Sequence, residues 1–159
     1  MGQCARRCFA KSHADVVVVQ ETKKVISDDD PTAMQRRGRQ LGWSMHPTSA
    51  KPMAANSASG GTIVAVRRGI GLQPAAETDE SYDHRVGSAW VGGICKGGMH
   101  VVSVYMKDSE GLSELNMTIL ARLAQLVGGF RNPWIVGGDW NMTPAELASS
   151  GMLEVLRRI

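Results

Sequence analysis

The sequence predicts an α/β fold in which strands and helices pack as layers, and three observations carry that prediction. Val16-Val17-Val18-Val19 is an unbroken β-branched run, the composition of a strand with apolar contacts on both faces. Leu112, Leu115, Ile119, Leu123 and Leu126 recur at three- and four-residue spacing, which is the apolar stripe of a helix. Between and around them the order reads strand, helix, several strands with a hairpin, long helix, strand, helix. Mixed strands with flanking helices bury their apolar faces best as stacked layers.

Taken in order, Gln3 to Ser12 suits a short helix with one basic side. Asp15 leads into the valine strand, which ends at Gln20-Glu21-Thr22-Lys23, so a carboxylate stands just past its C-terminal end. Asp30 and Pro31 form an N-cap and first turn, and Gly42 stops the helix that runs from Pro31 to Leu41. Trp43 to Met45 is a brief strand, and Pro47 to Ser59 is a polar loop of small residues. Gly60-Gly61 introduce a strand from Thr62 to Val66, and Arg67-Arg68-Gly69 turn the chain. After a second loop from Gln73 to Arg85, strands Val86 to Cys95 and Met99 to Tyr105 are joined by a tight hairpin at Lys96-Gly97-Gly98. Gly128-Gly129 close the long helix. The apolar run Trp134-Ile135-Val136 then leads through Gly137-Gly138 to Asp139-Trp140-Asn141. Thr143 as N-cap, Pro144 at the first helical position and Glu146 closing a capping box start the next helix, which breaks near Gly151. No internal repeat or linker divides the chain, so residues 1–159 read as a single domain.

The totals set limits on function. With 43% hydrophobic residues and no long charged block, the chain should fold. A net charge of +3, spread along the chain, permits a polyanionic partner without pointing to one. The pairs Arg6-Arg7, Arg36-Arg37, Arg67-Arg68 and Arg157-Arg158 read as solvated faces. Three cysteines argue against a disulfide framework and for a reducing compartment. Cys4, Cys8 and His13 make only a weak zinc pattern. No apolar run approaches the ~20 residues of a membrane span, and the N-terminus lacks a signal core. The expectation is a soluble intracellular chain.

The chemistry lies at strand ends. Glu21 and Asp139 each follow a hydrophobic strand; meeting at one sheet edge, they offer the hard oxygen ligands that suit Mg²⁺. Asn141 can donate amide protons to a phosphate oxygen, and Tyr105, at the end of its strand, can add a hydroxyl. The set reads as metal-assisted phosphodiester hydrolysis. Each member also has a plain structural role. An acid after a strand often caps a helix or forms a turn, and a strand tyrosine is commonly half-buried. Trp43, Trp90 and Trp134 suit the core, and Trp140 suits the sheet edge.

Four segments, in order, resemble the endonuclease/exonuclease/phosphatase superfamily. Ala14-Asp15-Val16-Val17-Val18-Val19-Gln20-Glu21-Thr22-Lys23 is similar to its "DvvxLQEtk" segment, and Gly60-Gly61-Thr62-Ile63-Val64 to its "GGtai" strand. Val101-Val102-Ser103-Val104-Tyr105-Met106 resembles its "vvsvYmP" strand, with Lys107 where proline is common. Gly137-Gly138-Asp139-Trp140-Asn141 resembles its "GDFN" signature. The flavour is most similar to retrotransposon-type endonuclease domains. The resemblance implies a four-layered α/β sandwich, two mixed sheets face to face with helices outside. It implies Mg²⁺- or Mn²⁺-dependent cleavage of phosphate esters, with DNA as the expected partner. By position, Glu21 matches the metal-binding glutamate and Tyr105 the phosphate-contacting tyrosine. Asp139 and Asn141 match the pair that orients the attacking water and stabilises charge on phosphorus, with Asp139 also a metal ligand.

The family pattern has an earlier strand ending in asparagine and a C-terminal Asp-His pair, neither of which has a counterpart here. The sequence therefore reads as an incomplete sandwich, trimmed at both ends. Asp83-His84 lies upstream of Asp139, out of the family's order, and His13, His46 and His100 have no matching role. Alternatives to a DNA endonuclease are a catalytically inactive fragment or relic and a phosphatase of inositol phosphates or lipids.

Overall fold

The computed structural model describes residues 8–27, 32–54, 56–75 and 84–157. In chain order these form β1 (Val16–Val19), α1 (Ala33–Gln40), β2 (Trp43–Pro47), β3 (Lys51–Pro52), β4 (Ala58–Ser59), β5 (Ile63–Arg67) and β6 (Leu72–Pro74). They continue with β7 (Val86–Val91), β8 (Met99–Tyr105), α2 (Glu114–Gly128), β9 (Trp134–Asp139), α3 (Pro144–Ser149) and α4 (Met152–Leu156). One sheet has the order β1-β5-β2 and is antiparallel; the other has the order β6-β7-β8-β9, antiparallel except for the parallel β8–β9 pair. β3 and β4 form a separate small hairpin.

Alternation along the strands explains how the sheets stack. On β5, Ile63 and Ala65 point outward and join Trp43, Met45 and Phe9, covered by Met34 and Leu41. Val64 and Val66 point the other way and meet Ala89, Val91 and Val101 of the second sheet. That second sheet turns Val86, Val102 and Val104 outward against Ile119, Leu120, Leu123 and Val127 of α2 and Met152 of α4. The order across the molecule is helix, sheet, sheet, helix, the four layers expected. Val64, Val66, Val102 and Val104 are fully buried, each contributing roughly 1.5–3 kcal/mol of burial free energy.

The capping box read at Thr143 holds, and α2 has a cap that its leucine stripe did not reveal. Ser113 accepts from the Asn116 backbone N–H at 3.3 Å. Thr143 and Glu146 close a full capping box, with Pro144 in the first turn. The α1 start differs: Thr32 holds the cap position, while Asp30 and Pro31 lie outside the described residues.

Several expectations are corrected. β1 is half-buried rather than buried on both faces, because it is the border strand of its sheet and pairs only with β5 among the described residues. β9 likewise borders its sheet. β7 stops at Val91, because the Trp90 ring lies over Gly92 and Gly98 and the chain bends through positive φ at Gly93, Gly97 and Gly98. The link to β8 is thus a loop and not a tight hairpin. Trp90 and Trp134 are half-buried, whereas Trp43 is in the core. Residues 47–59 hold the β3–β4 hairpin, and β6 occupies the start of the second loop. Residues 8–11 are helical, anchored by buried Phe9, whose carbonyl accepts from Trp43 Nε1 at 3.0 Å. Arg67 is no solvated charge: its guanidinium lies 4.4 Å from the Trp43 ring centroid and donates to the carbonyls of Ser12 and Ala14. Cys4 lies outside the described residues, among which no three His, Cys, Asp or Glu side chains cluster to hold a metal. No helix among them is long and apolar enough to cross a membrane.

Two stability predictions follow from this packing. A Cβ at Gly138 would run into the Val104 carbonyl, which only a backbone shift can relieve, whereas one at Gly137 would lie 3.1 Å from a movable Val18 methyl. Gly138→Ala should therefore cost about 1–3 kcal/mol and Gly137→Ala less than about 1 kcal/mol, read from urea midpoints; equal costs would contradict the packing. Burial holds the His46 imidazole below its ordinary value of 6.5. The unfolded chain then binds a proton that the folded one refuses. Stability from His46 is therefore intact above pH ~6.5 and is lost as pH falls through the lower folded value. The melting temperature should drop between pH 7.5 and 5.5, less steeply in His46→Gln; parallel slopes would contradict it.

Candidate active site

The site is built where β1, β8 and β9 end at one rim of the sandwich. β1 stacks over β8 and β9. Gln20 Nε2 donates to Ser103 Oγ at 3.0 Å, and Ser103 Oγ donates to the Val19 carbonyl at 3.3 Å, so the end of β1 is tied to the end of β8 across the sheets. The next residue on one side is Glu21, and two residues beyond Ser103 is Tyr105. Parallel pairing sets Tyr105 opposite Asp139.

The turn after β1 is held by glycine. Thr22 N–H donates to the Gly61 carbonyl and Lys23 N–H to the Gly60 carbonyl, both at 3.0 Å, while Gly61 N–H donates to the His84 carbonyl at 2.6 Å. Gly60 and Gly61 have φ of +75° and +81°, and a Cβ on either would overlap His84 or Thr22. Only glycine fits this position, where two site segments close on the β5 start. Glu21 and Lys23 themselves have φ of +53° and +50°, and Asn141 has +46°. Left-handed backbone at three non-glycine residues around one rim is the kind of strain that clusters at functional sites.

The side chains converge electrostatically. Lys23 Nζ lies 2.9 Å from Glu21 Oε1. That contact, helped by the Tyr105 hydroxyl and the Arg85 charge and opposed by partial burial, holds the Glu21 carboxyl below its ordinary range. Tyr105 is pushed up by burial first and then by the Glu21 charge and, more weakly, by Asp139. The Tyr105 hydroxyl therefore stays a hydrogen-bond donor beside the Glu21 carboxylate. Asp139 is exposed at the rim, and its carbonyl accepts from Met106 N–H at 2.9 Å. Asn141 Nδ2 donates to the Met106 carbonyl at 2.9 Å. An amide carries two protons, so this contact engages one and orients the group.

Arg85, which the sequence reading passed over, belongs to this set. It is 4% exposed, with its guanidinium 5.0 Å from the Tyr105 ring centroid. Nη2 donates to Ser59 Oγ at 3.1 Å, and its backbone carbonyl accepts from Tyr105 N–H at 2.8 Å. A buried cation beside a tyrosine and a glutamate leaves no periodic trace in sequence. His84 sits next to Gly60, half-buried, with its imidazole held below the ordinary range by burial and by Arg85 and Lys51. Its neighbour Asp83 lies outside the described residues. His100 is far away, stacked on Phe130 at the opposite end of β8.

The rim therefore gathers Glu21, Tyr105 and Asp139, with Asn141 beside them and Lys23 and Arg85 as cations. Glu21 and Asp139 follow strands of the two different sheets that end at this rim, and carboxylates are the hard oxygen donors that a divalent ion takes.

Comparison with solved structures finds the same architecture. The chain is similar to a crystal structure of ANGEL2, a 2′,3′-cyclic phosphatase, with 15% identity and a TM-score of 0.61 over 94% of this chain and 46% of that one. It is also similar to a humanized D. rerio TDP2, with 17% identity and a TM-score of 0.62 over 94% and 62% of the two chains. For truncated Caenorhabditis elegans TDP2 the values are 11% and 0.52 over 90% and 55%. The chain thus spans about half the length of these structures, and at such identities the likeness shows the fold alone. No curated protein matches the sequence. A family model covers residues 5–158, and the chain belongs to the endonuclease/exonuclease/phosphatase family.

Proposed function

We propose that this rim carries out divalent-metal-dependent phosphodiester hydrolysis on DNA, in the manner of a retrotransposon-type endonuclease domain. The observation that carries the reading is that β1 and β9, from different sheets, end at one rim, where Gln20 is tied to Ser103 and Tyr105 pairs opposite Asp139. Family membership supplies the frame of phosphate-ester hydrolysis. The ANGEL2 structure holds adenosine-2′,3′-vanadate, so the fold accommodates phosphate-like groups on a nucleoside. Lys23 and Arg85 add positive charge for a polyanionic backbone.

Glu21 and Asp139 are the residues that would hold Mg²⁺ or Mn²⁺, and the bound ion would supply Lewis-acid charge at a phosphate oxygen. Tyr105, whose hydroxyl bonds Glu21 in the free site, turns its one proton to a non-bridging phosphate oxygen when substrate binds. Asn141, oriented through Met106, offers its remaining amide proton where negative charge grows on phosphorus. Asp139 also orients the attacking water. Hydrolysis forms one P–O bond from that water and breaks the ester P–O bond, while the water's proton leaves through Asp139 to solvent and the departing oxygen is protonated from solvent. Arg85 acts through Tyr105, fixing the ring from above.

Nicking of supercoiled plasmid tests the reading. Activity should require Mg²⁺ or Mn²⁺, vanish in EDTA, and fall at least about 100-fold in Asp139→Ala and Glu21→Ala. Nicking that survives EDTA would contradict the mechanism. No nicking beside turnover of a nucleotide or inositol phosphate would move the substrate, and inertness towards all of them would support an inactive domain.

A further inference from the structure

The ion pair at the rim has a consequence for how the site fills. Lys23 and Glu21 lie two residues apart and meet at 2.9 Å, and both take left-handed backbone, with φ of +50° and +53°. That shape is pinned from below by hydrogen bonds of Thr22 and Lys23 to Gly61 and Gly60. The backbone of the turn is thus held, and from it the exposed Lys23 side chain reaches the Glu21 carboxylate. The seat of its ammonium is one of the two Glu21 oxygens that a divalent ion could take. We propose that Lys23 is the resident counter-cation of Glu21, and that a divalent ion enters this rim by exchanging with the Lys23 ammonium, which sets the ion concentration at which the site fills.

This inference rests on the metal-site reading above. Its physical basis is that two cations do not share one carboxylate oxygen at contact distance without strong repulsion. Both partners are open to solvent, with side chains 60% and 44% exposed for Lys23 and Glu21. An exposed pair is weak enough for a divalent ion to displace, and strong enough to shift apparent affinity by up to about fivefold. Loss of the local positive charge adds to that shift. Lys23 is accordingly a positioning residue: it acts on metal occupancy through Glu21. Once displaced, its ammonium remains at the rim, free to face an anionic substrate.

Mn²⁺ binding by the full chain, read from the free-ion signal in electron paramagnetic resonance, tests this without any assay of activity. Lys23→Met should tighten the Mn²⁺ dissociation constant by roughly three- to tenfold. Lys23→Arg, which keeps the ion pair, should bind as the wild type does. Lys24→Met removes the same charge from the exposed neighbour outside the pair and should change affinity less than twofold. In a Glu21→Ala background the Lys23→Met gain should disappear. Unchanged or weaker binding in Lys23→Met would overturn the inference, as would an equal gain in Lys24→Met. If wild-type binding is lost in Asp139→Ala while Lys23→Met is silent, the metal site stands and the exchange alone fails. If neither wild type nor Lys23→Met binds Mn²⁺, both readings fall.

Discussion

The site depends on a backbone with no side chains. Gly60 and Gly61, at positive φ, let the turn after β1 and the segment before β7 press against the start of β5 at hydrogen-bond distance. Through their carbonyls they fix Thr22 and Lys23 and so aim Glu21; through the Gly61 N–H they fix His84 and so place Arg85 over Tyr105. One saddle thus sets the position of an anion on one sheet and a cation on the other. A side chain at either glycine would separate the two segments before it disturbed the core, because its Cβ overlaps the site backbone or side chains, not the packed valines.

The second requirement is that two sheets end together. Carboxylates from β1 and β9 belong to different sheets and share no hydrogen-bonded ladder. Their common rim exists because β1 stacks on β8 and β9 and because Gln20 and Ser103 lock the strand ends in register. Tyr105 sits at that junction, on the inward face of β8, opposite Asp139 on the parallel neighbour. Burial and the neighbouring Glu21 charge raise the Tyr105 hydroxyl above its ordinary value. On the cationic side, Arg85 and Lys23 offset the charge of the Glu21 carboxylate. The two cations thus favour the ionised form of Glu21 at a rim that a substrate anion must also approach.

Much of this was legible in the residues. The valine run, the leucine stripe and the Thr143-Pro144-Glu146 start each encode a local preference that tertiary packing did not override. Four family-like segments carried the layering. Burial of β1 was misjudged because a β-branched run looks the same at a sheet border as at its centre. The reach of β7 was misjudged because Trp90 covers Gly92 and Gly98, a contact that composition does not show. Glu21, Tyr105, Asp139 and Asn141 could be placed at or just past strand ends because those ends are visible as pattern changes. Arg85 could not, since its partners Ser59 and Tyr105 come from 26 and 20 residues away. Arg67 was hidden likewise, reading as a solvated pair while it stacks on Trp43.

The central claim is that carboxylates of two separate sheets address one point beside the Tyr105 hydroxyl. Crystals soaked in Mn²⁺ and measured at a wavelength where manganese scatters anomalously locate that point directly. The account predicts one anomalous peak at the rim, within ~2.0–2.6 Å of an oxygen of Glu21 and an oxygen of Asp139. A peak bound by only one of the two, or a rim with no peak while manganese binds elsewhere on the chain, would contradict it.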